Sequence, residues 1–372
     1  MRRRFFLEQN MDATHEPTLL PLDVPFLPDA DYCRLVRNLG DRIASVHFSL
    51  FEPSIPDARH AGDRLSVDAL LGWLASLPGV RRLALLNSRF HAPESYSPET
   101  LAELVSRLKR LAGAGVLDGI VYADVYLLFA LAEADPELCA RLEAVPSVNA
   151  CLDAADKAFS HFDAIRASGF RQPGRLVLDR SLNRRLPELR RTVAALRQAR
   201  PRLSIVLMAN EGCLYQCPFK PAHDAHMAHA RLDSENAPSG DGFSRNVRLG
   251  CQRMFHADPG RLLASPFIRP EDQSAYAGLA DVLKLCGRSR GPGVMRRIVE
   301  AYARGSFAGN LLLLMDSMEP LAGVMRLPNE DIPADFLRRV TTCVKNCTDC
   351  GWCGDLAESL LTHTKPGIPS MD

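Results

Sequence analysis

Short, almost wholly apolar runs recur along this chain, separated by longer stretches of helical periodicity. That alternation restricts the fold more than any other feature. The runs are 43–50 (IASVHFSL), 81–87 (RRLALLN), 118–123 (DGIVYA), 147–151 (SVNAC), 174–179 (GRLVLD), 203–209 (LSIVLMA), 261–265 (RLLAS) and 281–286 (DVLKLC). Between them, 66–77, 98–113, 125–144, 152–168 and 184–199 carry apolar residues at i, i+3, i+4, i+7 spacing, the mark of amphipathic helices. Ser97-Pro98-Glu99-Thr100 reads as a helix start, with proline in the first turn. Continuously apolar strands alternating with helices imply a parallel sheet covered on both faces.

Eight such units over about 245 residues match the roughly 250 residues of a (β/α)8, TIM-like barrel. A doubly wound open sheet is the alternative, but no Gly-rich phosphate turn follows the first strand run. The expected organisation is a proline-rich lead-in over 1–40, a barrel over 41–310 and a cysteine-rich helical extension over 311–372. Residues 231–250 are polar and rich in Gly and Ser, so they read as a long loop of functional kind.

Charge excludes little but helps. Lys+Arg is 45 and Asp+Glu is 44, a net charge of +1. This disfavours a protein that grips nucleic acid by bulk charge, though not one with a local basic groove. No apolar run approaches the roughly 18–20 residues of a membrane span. The opening Met1-Arg2-Arg3-Arg4-Phe5-Phe6-Leu7-Glu8 develops no signal-peptide core, so a cytoplasmic location is expected.

The eleven cysteines are an odd number in a chain too long to be a disulfide scaffold. In a reducing compartment, clustered thiols suggest metal, cluster or catalysis. Cys213-x3-Cys217 lies in the turn Asn210-Glu211-Gly212-Cys213-Leu214-Tyr215-Gln216-Cys217-Pro218-Phe219, directly after a strand run, and Cys251 follows the polar segment. In a barrel, chemistry sits at the carboxyl ends of strands. These three are candidate ligands of an iron–sulfur cluster or metal; the plainer reading is buried, inert thiols. Cys343-x3-Cys347-x2-Cys350-x2-Cys353 packs four thiols into eleven residues, enough for a [4Fe–4S] cluster. Zinc or a redox disulfide pair are the alternatives. Its first three cysteines also have the spacing of the radical S-adenosylmethionine signature. They lie after the last strand run, however, and Cys353 adds a fourth thiol.

Other strand ends supply polar candidates. Glu211, His223, Lys284 and Arg288 are the candidate catalytic groups, with Lys284 and Arg288 suited to an anionic part of a substrate. Asn87, Asp124, Asp179, Arg180 and Asn210 are candidate substrate contacts, and Glu52 and Arg89 also follow strand runs. His223, His226 and His229 fan over roughly 120° of a helix, so that two of them can approach one metal or substrate. For Lys284 and Arg288, ordinary ion pairing at the rim is the competing reading.

These steps together resemble the peptidase U32 family. The resemblance rests on Ala123-Asp124, Leu178-Asp179-Arg180-Ser181-Leu182, the cysteine turn and Ser265-Pro266 followed by Glu271-Asp272. It rests most on Leu283-Lys284-Leu285-Cys286-Gly287-Arg288 with the Val299-x-x-Tyr302 helix behind it. Family members read there as an SPKDL step and an FKIEGR strand followed by V-x-x-Y. The resemblance implies a barrel-like fold and a [4Fe–4S] cluster on four cysteines. It implies oxygen-independent hydroxylation of RNA bases or a quinone precursor, or, for a few members, degradation of collagen. Near Ser265-Pro266 this chain lacks the family's fourth cysteine, so Cys286 or a tail cysteine is the expected substitute.

The expected function is therefore an iron–sulfur redox enzyme, carrying one or two clusters, that modifies a small molecule or an RNA base. A U32-like peptidase is the alternative, although no G-x-S-x-G elbow or HExxH helix is present. A third reading is an electron-transfer or assembly subunit that docks on an electron donor or other partner protein.

Overall fold

The computed structural model describes residues 18–52, 57–58, 64–232 and 241–363. Its main sheet has eight parallel strands: β1 (Leu22–Pro25), β2 (Ile43–Phe48), β3 (Arg81–Leu86), β4 (Gly119–Tyr122), β5 (Glu143–Pro146), β6 (Arg175–Leu178), β7 (Ser204–Met208) and β8 (Val282–Lys284). Neighbours follow chain order from β1 to β5, and β1 pairs with β8, which continues through β7 to β6. Between β5 and β6 the closure runs through Arg171. Its N–H donates to the Leu142 carbonyl at 3.0 Å, and its carbonyl accepts from the Ala144 N–H at 3.2 Å. The result is a nearly closed (β/α)8 barrel, as the alternation of runs implies.

The helices form where the periodicity places them. Val67–Ala75, Pro98–Gly113, Ala155–Ser168 and Leu186–Ala199 bury one apolar stripe each against the barrel. Ser97 caps Pro98–Gly113 by accepting the Thr100 N–H, with Pro98 in the first turn. The run 125–144 is two helices, Val125–Ala134 and Pro136–Arg141. The break falls at Pro136, which cannot continue a helix hydrogen-bond ladder.

Four expectations are corrected. The first strand is β1, inside the supposed lead-in 1–40; its four residues, preceded by Pro21 and ending on Pro25, are too few to show a pattern. The run 147–151 is a turn of 3-10 helix, Val148–Ala150, and the strand lies just before it at Glu143–Pro146. The run 261–265 is the helix Gly260–Ala264. A short apolar run cannot by itself tell strand from buried helix. The supposed loop 231–250 holds the end of helix Lys220–Leu232 and helix Asp241–Arg248; its residues 233–240 lie outside the described residues.

The barrel lumen is divided. Leu83, Leu85, Val121, Val145, Val177, Val206 and Met208 form an apolar wall. Across from it, Asp23, Ser45, His47 and Lys284 project from β1, β2 and β8, all buried, and Arg175 of β6 reaches Ser45. Below them Glu143 pairs with Arg81.

The extension returns to the barrel mouth. Asp316 forms a short parallel bridge with Glu211: its N–H donates to the Asn210 carbonyl at 2.8 Å, and its carbonyl accepts from Gly212 N–H at 3.1 Å. A Cβ at Gly212 would sit 2.5 Å from the Asp316 oxygen, so only glycine permits this approach. Further along, cations and rings stack. The Arg184 guanidinium lies 5.0 Å from the Phe267 ring and 5.5 Å from Phe336. Phe336 stacks on Trp352 at 6.3 Å, and Arg339 covers Trp352 at 5.1 Å. Such contacts gain strength when desolvated, and Arg184 and Phe336 are fully buried.

We predict that Phe336→Ala costs about 3–5 kcal/mol of stability, the usual cost of deleting a buried phenylalanine, with Trp352 fluorescence shifting to that of a solvated indole. Urea unfolding followed at Trp352 checks this. A loss below about 1 kcal/mol would mean the extension is held elsewhere.

Candidate functional site

A cavity of about 100 Å³ opens at the carboxyl ends of the strands. By the usual volume of one water it has room for a small organic molecule. Its floor carries His47 and Lys284; its walls carry Asn87, Ser88 and Arg89 after β3, Glu211 and Cys213 after β7, and Cys286 and Arg288 after β8. One face of helix Lys220–Leu232 roofs it with Lys220, His223, Asp224 and Met227. These four fall at i, i+3, i+4 and i+7, one stripe of a helix.

Of the residues singled out in the sequence, Asn87, Glu211, Cys213, His223, Lys284 and Arg288 thus meet in one place. Asp124, Asp179, Arg180 and Asn210 do not line it, and each has a structural task. Asp124 caps helix Val125–Ala134 through the Tyr126 N–H at 2.8 Å and accepts the Tyr96 hydroxyl. Asp179 accepts the Ser181 N–H at 2.9 Å. Asn210 joins three segments: its amide donates to the carbonyls of Cys286 (2.9 Å) and Leu314 (3.1 Å), and its oxygen accepts the Cys286 N–H at 2.8 Å. Arg180 lies behind the wall. It pairs with Glu211 at 2.8 Å and approaches the Cys213 sulfur at 3.8 Å. Burial disfavours its charge, but Glu211 and Cys213 hold its pKa above the ordinary arginine value. Glu52 is also outside the cavity, paired with Arg64 at 2.9 Å and with Arg107 at 2.5 Å.

The histidine fan resolves into single residues. His223 faces the cavity. His226 points instead to Arg245, 2.8 Å from its Nδ1. The side chain of His229 lies outside the described residues.

The cavity is rich in cations. Lys220 and Arg89 share Asp224, with Arg89 at 3.1 Å. Arg288 pairs with Asp57. Beneath them, the Lys284 Nζ lies 2.7 Å from Asp23 and 2.7 Å from the His47 Nδ1, and Nδ1 is 2.9 Å from Asp23. Burial alone would raise the Asp23 pKa, but Lys284 and His47 hold it well below the usual carboxylate range. Burial, then Lys284, push His47 down to about 4, so its ring is neutral at physiological pH. Burial also lowers Lys284, against the pull of Asp23. Asp23 and His47 were absent from the sequence-derived set. The only sequence signal for Asp23 is an acid inside an apolar strand, where Asp is disfavoured.

The cysteines form two neighbourhoods. Burial first, then Glu211, push the Cys213 thiol well above its ordinary pKa, and Cys217 adds to this. Cys251 is raised to about 11 by burial and by Cys217. In the tail, burial and then Cys347 and Cys343 raise Cys353 to about 11. Cys343, Cys347 and Cys350 are exposed and Cys353 is half-buried. Lys345, in a left-handed conformation (φ 62°), puts its Nζ 3.2 Å from the Cys343 sulfur and 5.8 Å from the centre of the Tyr215 ring. Tyr215 lies between Cys213 and Cys217, so the tail borders the cysteine turn. An all-thiol donor set is what iron–sulfur clusters take. As placed, no three His, Cys, Asp or Glu side chains among the described residues converge to hold a metal ion.

No protein-family model matches the chain. A Methanocaldococcus jannaschii protein named as an uncharacterized protease is 28% identical over 285 residues, 76% of this chain and 77% of that one. A solved U32 peptidase structure is 19% identical, covering 74% of this chain and 96% of its own, at a TM-score of 0.47. A D-allulose 3-epimerase from Methylomonas sp. is 12% identical, with a TM-score of 0.33 over 57% of this chain and 82% of its own.

A pH test follows from His47. In the folded chain it takes up a proton near 4, against 6.5 ordinarily. Between those values the unfolded chain binds more protons, so stability is full above about pH 6.5 and falls as pH drops toward 4. We predict a loss on the order of 2–3 kcal/mol across this window from this residue, removed in His47→Gln. Urea unfolding between pH 7 and 4 measures it; equal slopes in the two proteins would refute it.

Proposed function

We propose that this chain, a member of the U32-like family, is an enzyme whose active site is the barrel-mouth cavity, acting on a small anionic molecule or an RNA base with iron–sulfur support. The observation that carries this is the meeting of Glu211, Cys213, His223, Lys284 and Arg288 from distant parts of the sequence in one cation-rich cavity. Arg288, Lys220 and Arg89 would orient an anionic group; a guanidinium suits carboxylate or phosphate geometry. Helix Lys220–Leu232 lines one side of the cavity with Lys220, His223, Asp224 and Met227. No helix among the described residues is long and apolar enough to cross a membrane.

Cys213, Cys217 and Cys251 would hold one [4Fe–4S] cluster beside the cavity, and Cys343, Cys347, Cys350 and Cys353 a second. Such a cluster, when bound, supplies one-electron chemistry. Support lies in the thiol-only donor sets, in the neighbouring cysteines that add to burial in raising Cys251 and Cys353, and in the Lys345–Tyr215 contact between the two groups. An electron-donor protein would then approach the exposed tail.

Peptidase activity is the second reading, favoured by the archaeal relative's name. The cavity's serines do not help it: Ser88 donates its hydroxyl to the Phe90 carbonyl at 2.8 Å, and Ser147 accepts the Asn149 N–H at 3.2 Å. A nucleophilic cysteine needs a lowered pKa, and burial moves Cys213 the other way.

Protein purified without oxygen is expected to be brown, with about eight irons per chain for two cubanes or about four for one. The double variant Cys347→Ser/Cys350→Ser should lose the tail's share, and Cys213→Ala the mouth's. Iron at background level in the wild type would refute the cluster reading. Unchanged iron in Cys213→Ala would return Cys213 to the status of a buried thiol.

A further inference from the structure

We propose that Asp23, His47 and Lys284 form an acid–base unit at the cavity floor that removes a proton from carbon next to a carbonyl group, in a small carboxylate-bearing substrate. The inference shares with the preceding section only that the barrel mouth is the active site; it needs no cluster.

Three adjacent strands build the unit. Asp23 of β1 is in register with Lys284 of β8, while His47 of β2 pairs with Pro25 two residues on. All three side chains are buried, yet only His47 and Lys284 line the cavity; Asp23 lies beneath. The His47 Nδ1 is occupied below, 2.9 Å from Asp23 and 2.7 Å from Lys284. That leaves Nε2 as the ring nitrogen for the cavity. In the tautomer that donates Nδ1–H to Asp23, the Lys284 ammonium bonds to Asp23 and not to Nδ1, and Nε2 carries its lone pair toward a bound molecule, the arrangement of an oriented general base. The charged groups around the ring are Asp23 from β1, Lys284 from β8, Arg288 beyond β8 and, through Asp23, Arg175 from β6.

The residues divide the reaction between them. A carboxylate held by Arg288 or Lys220 sets the adjoining carbonyl oxygen against the Lys284 ammonium. His47 Nε2 takes the proton from the next carbon. The C–H electron pair becomes a C=C bond, and the carbonyl π pair moves to oxygen, where the Lys284 N–H hydrogen-bonds the enolate. Asp23 stabilises the imidazolium that forms. Reversal returns a proton to carbon, and no oxidant or reductant is consumed. In this scheme Asp23 is a positioning residue, and His47 and Lys284 are catalytic.

The probe is pyruvate in D2O, with loss of its methyl proton signal followed by NMR. Wild-type protein is expected to speed exchange above the buffer rate. His47→Gln should lower the enzymic rate by about 100-fold or more, the usual contribution of a general base. Asp23→Asn should lower it while leaving pyruvate binding intact, a split that a merely structural role would not give. Because His47 titrates near 4, the rate should stay level from about pH 5.5 to 8; an ordinary histidine base would rise through 6.5. Circular dichroism checks that the variants are folded. No exchange by the wild type, or equal exchange by folded His47→Gln, overturns the proposal. Iron read on the same samples separates the two readings: iron without exchange overturns only the acid–base unit, and exchange without iron overturns only the clusters.

Discussion

A single buried carboxylate organises the centre of this barrel. Asp23 lies in the lumen, 2.7 Å from the Lys284 ammonium and 2.9 Å from His47. An unpaired ammonium at that depth would lose several kcal/mol of hydration. Burial disfavours the Lys284 charge at the floor of the cavity, and Asp23 opposes that effect. Asp23 also ties β1 to both of its neighbours, β2 and β8, through side chains as well as backbone. Removing one partner of such a group strands the others. The apolar wall opposite supplies ordinary packing.

The rest of the site hangs on the long segment between β7 and β8. It leaves the barrel at Asn210, whose side chain bonds to Cys286 and Leu314 and so fixes the ends of β7 and β8 and the extension at one point. From there the cysteine turn and the roof helix Lys220–Leu232 follow. The extension adds Asp316 beside Glu211 and then stacks Phe336 and Trp352 with Arg184 and Arg339. Three of the five non-glycine residues in left-handed conformation among the described residues fall on this same seam: Gln216 in the cysteine turn, Ser317 beside it and Lys345 in the tail. Such strain persists where surrounding contacts over-determine the backbone, and it gathers at functional sites.

The sequence by itself determined the barrel, because parallel strands buried on both faces must be continuously apolar and must alternate with helices. Six of the eight strands are legible as such runs, and Lys284, Arg288 and the cysteine turn are legible as strand-end groups. The U32 likeness, carried by Leu283 to Arg288 and the helix behind it, is also a property of the sequence. Tertiary structure decided the rest. A four-residue strand that follows Pro21 and ends on Pro25 is too short for periodicity to mark β1, so Asp23 stayed hidden. The choice between strand and helix at 261–265 depends on packing partners far away in sequence. Whether a polar strand-end residue faces the cavity, as Arg288 does, or serves as a cap or brace, as Asp179 and Asn210 do, depends on the direction of one side chain. Spacing fixes that direction on a helix, which is why Lys220, His223, Asp224 and Met227 could have been read as one face. In a turn after a strand no period exists, and only the closed barrel sets which way each group points.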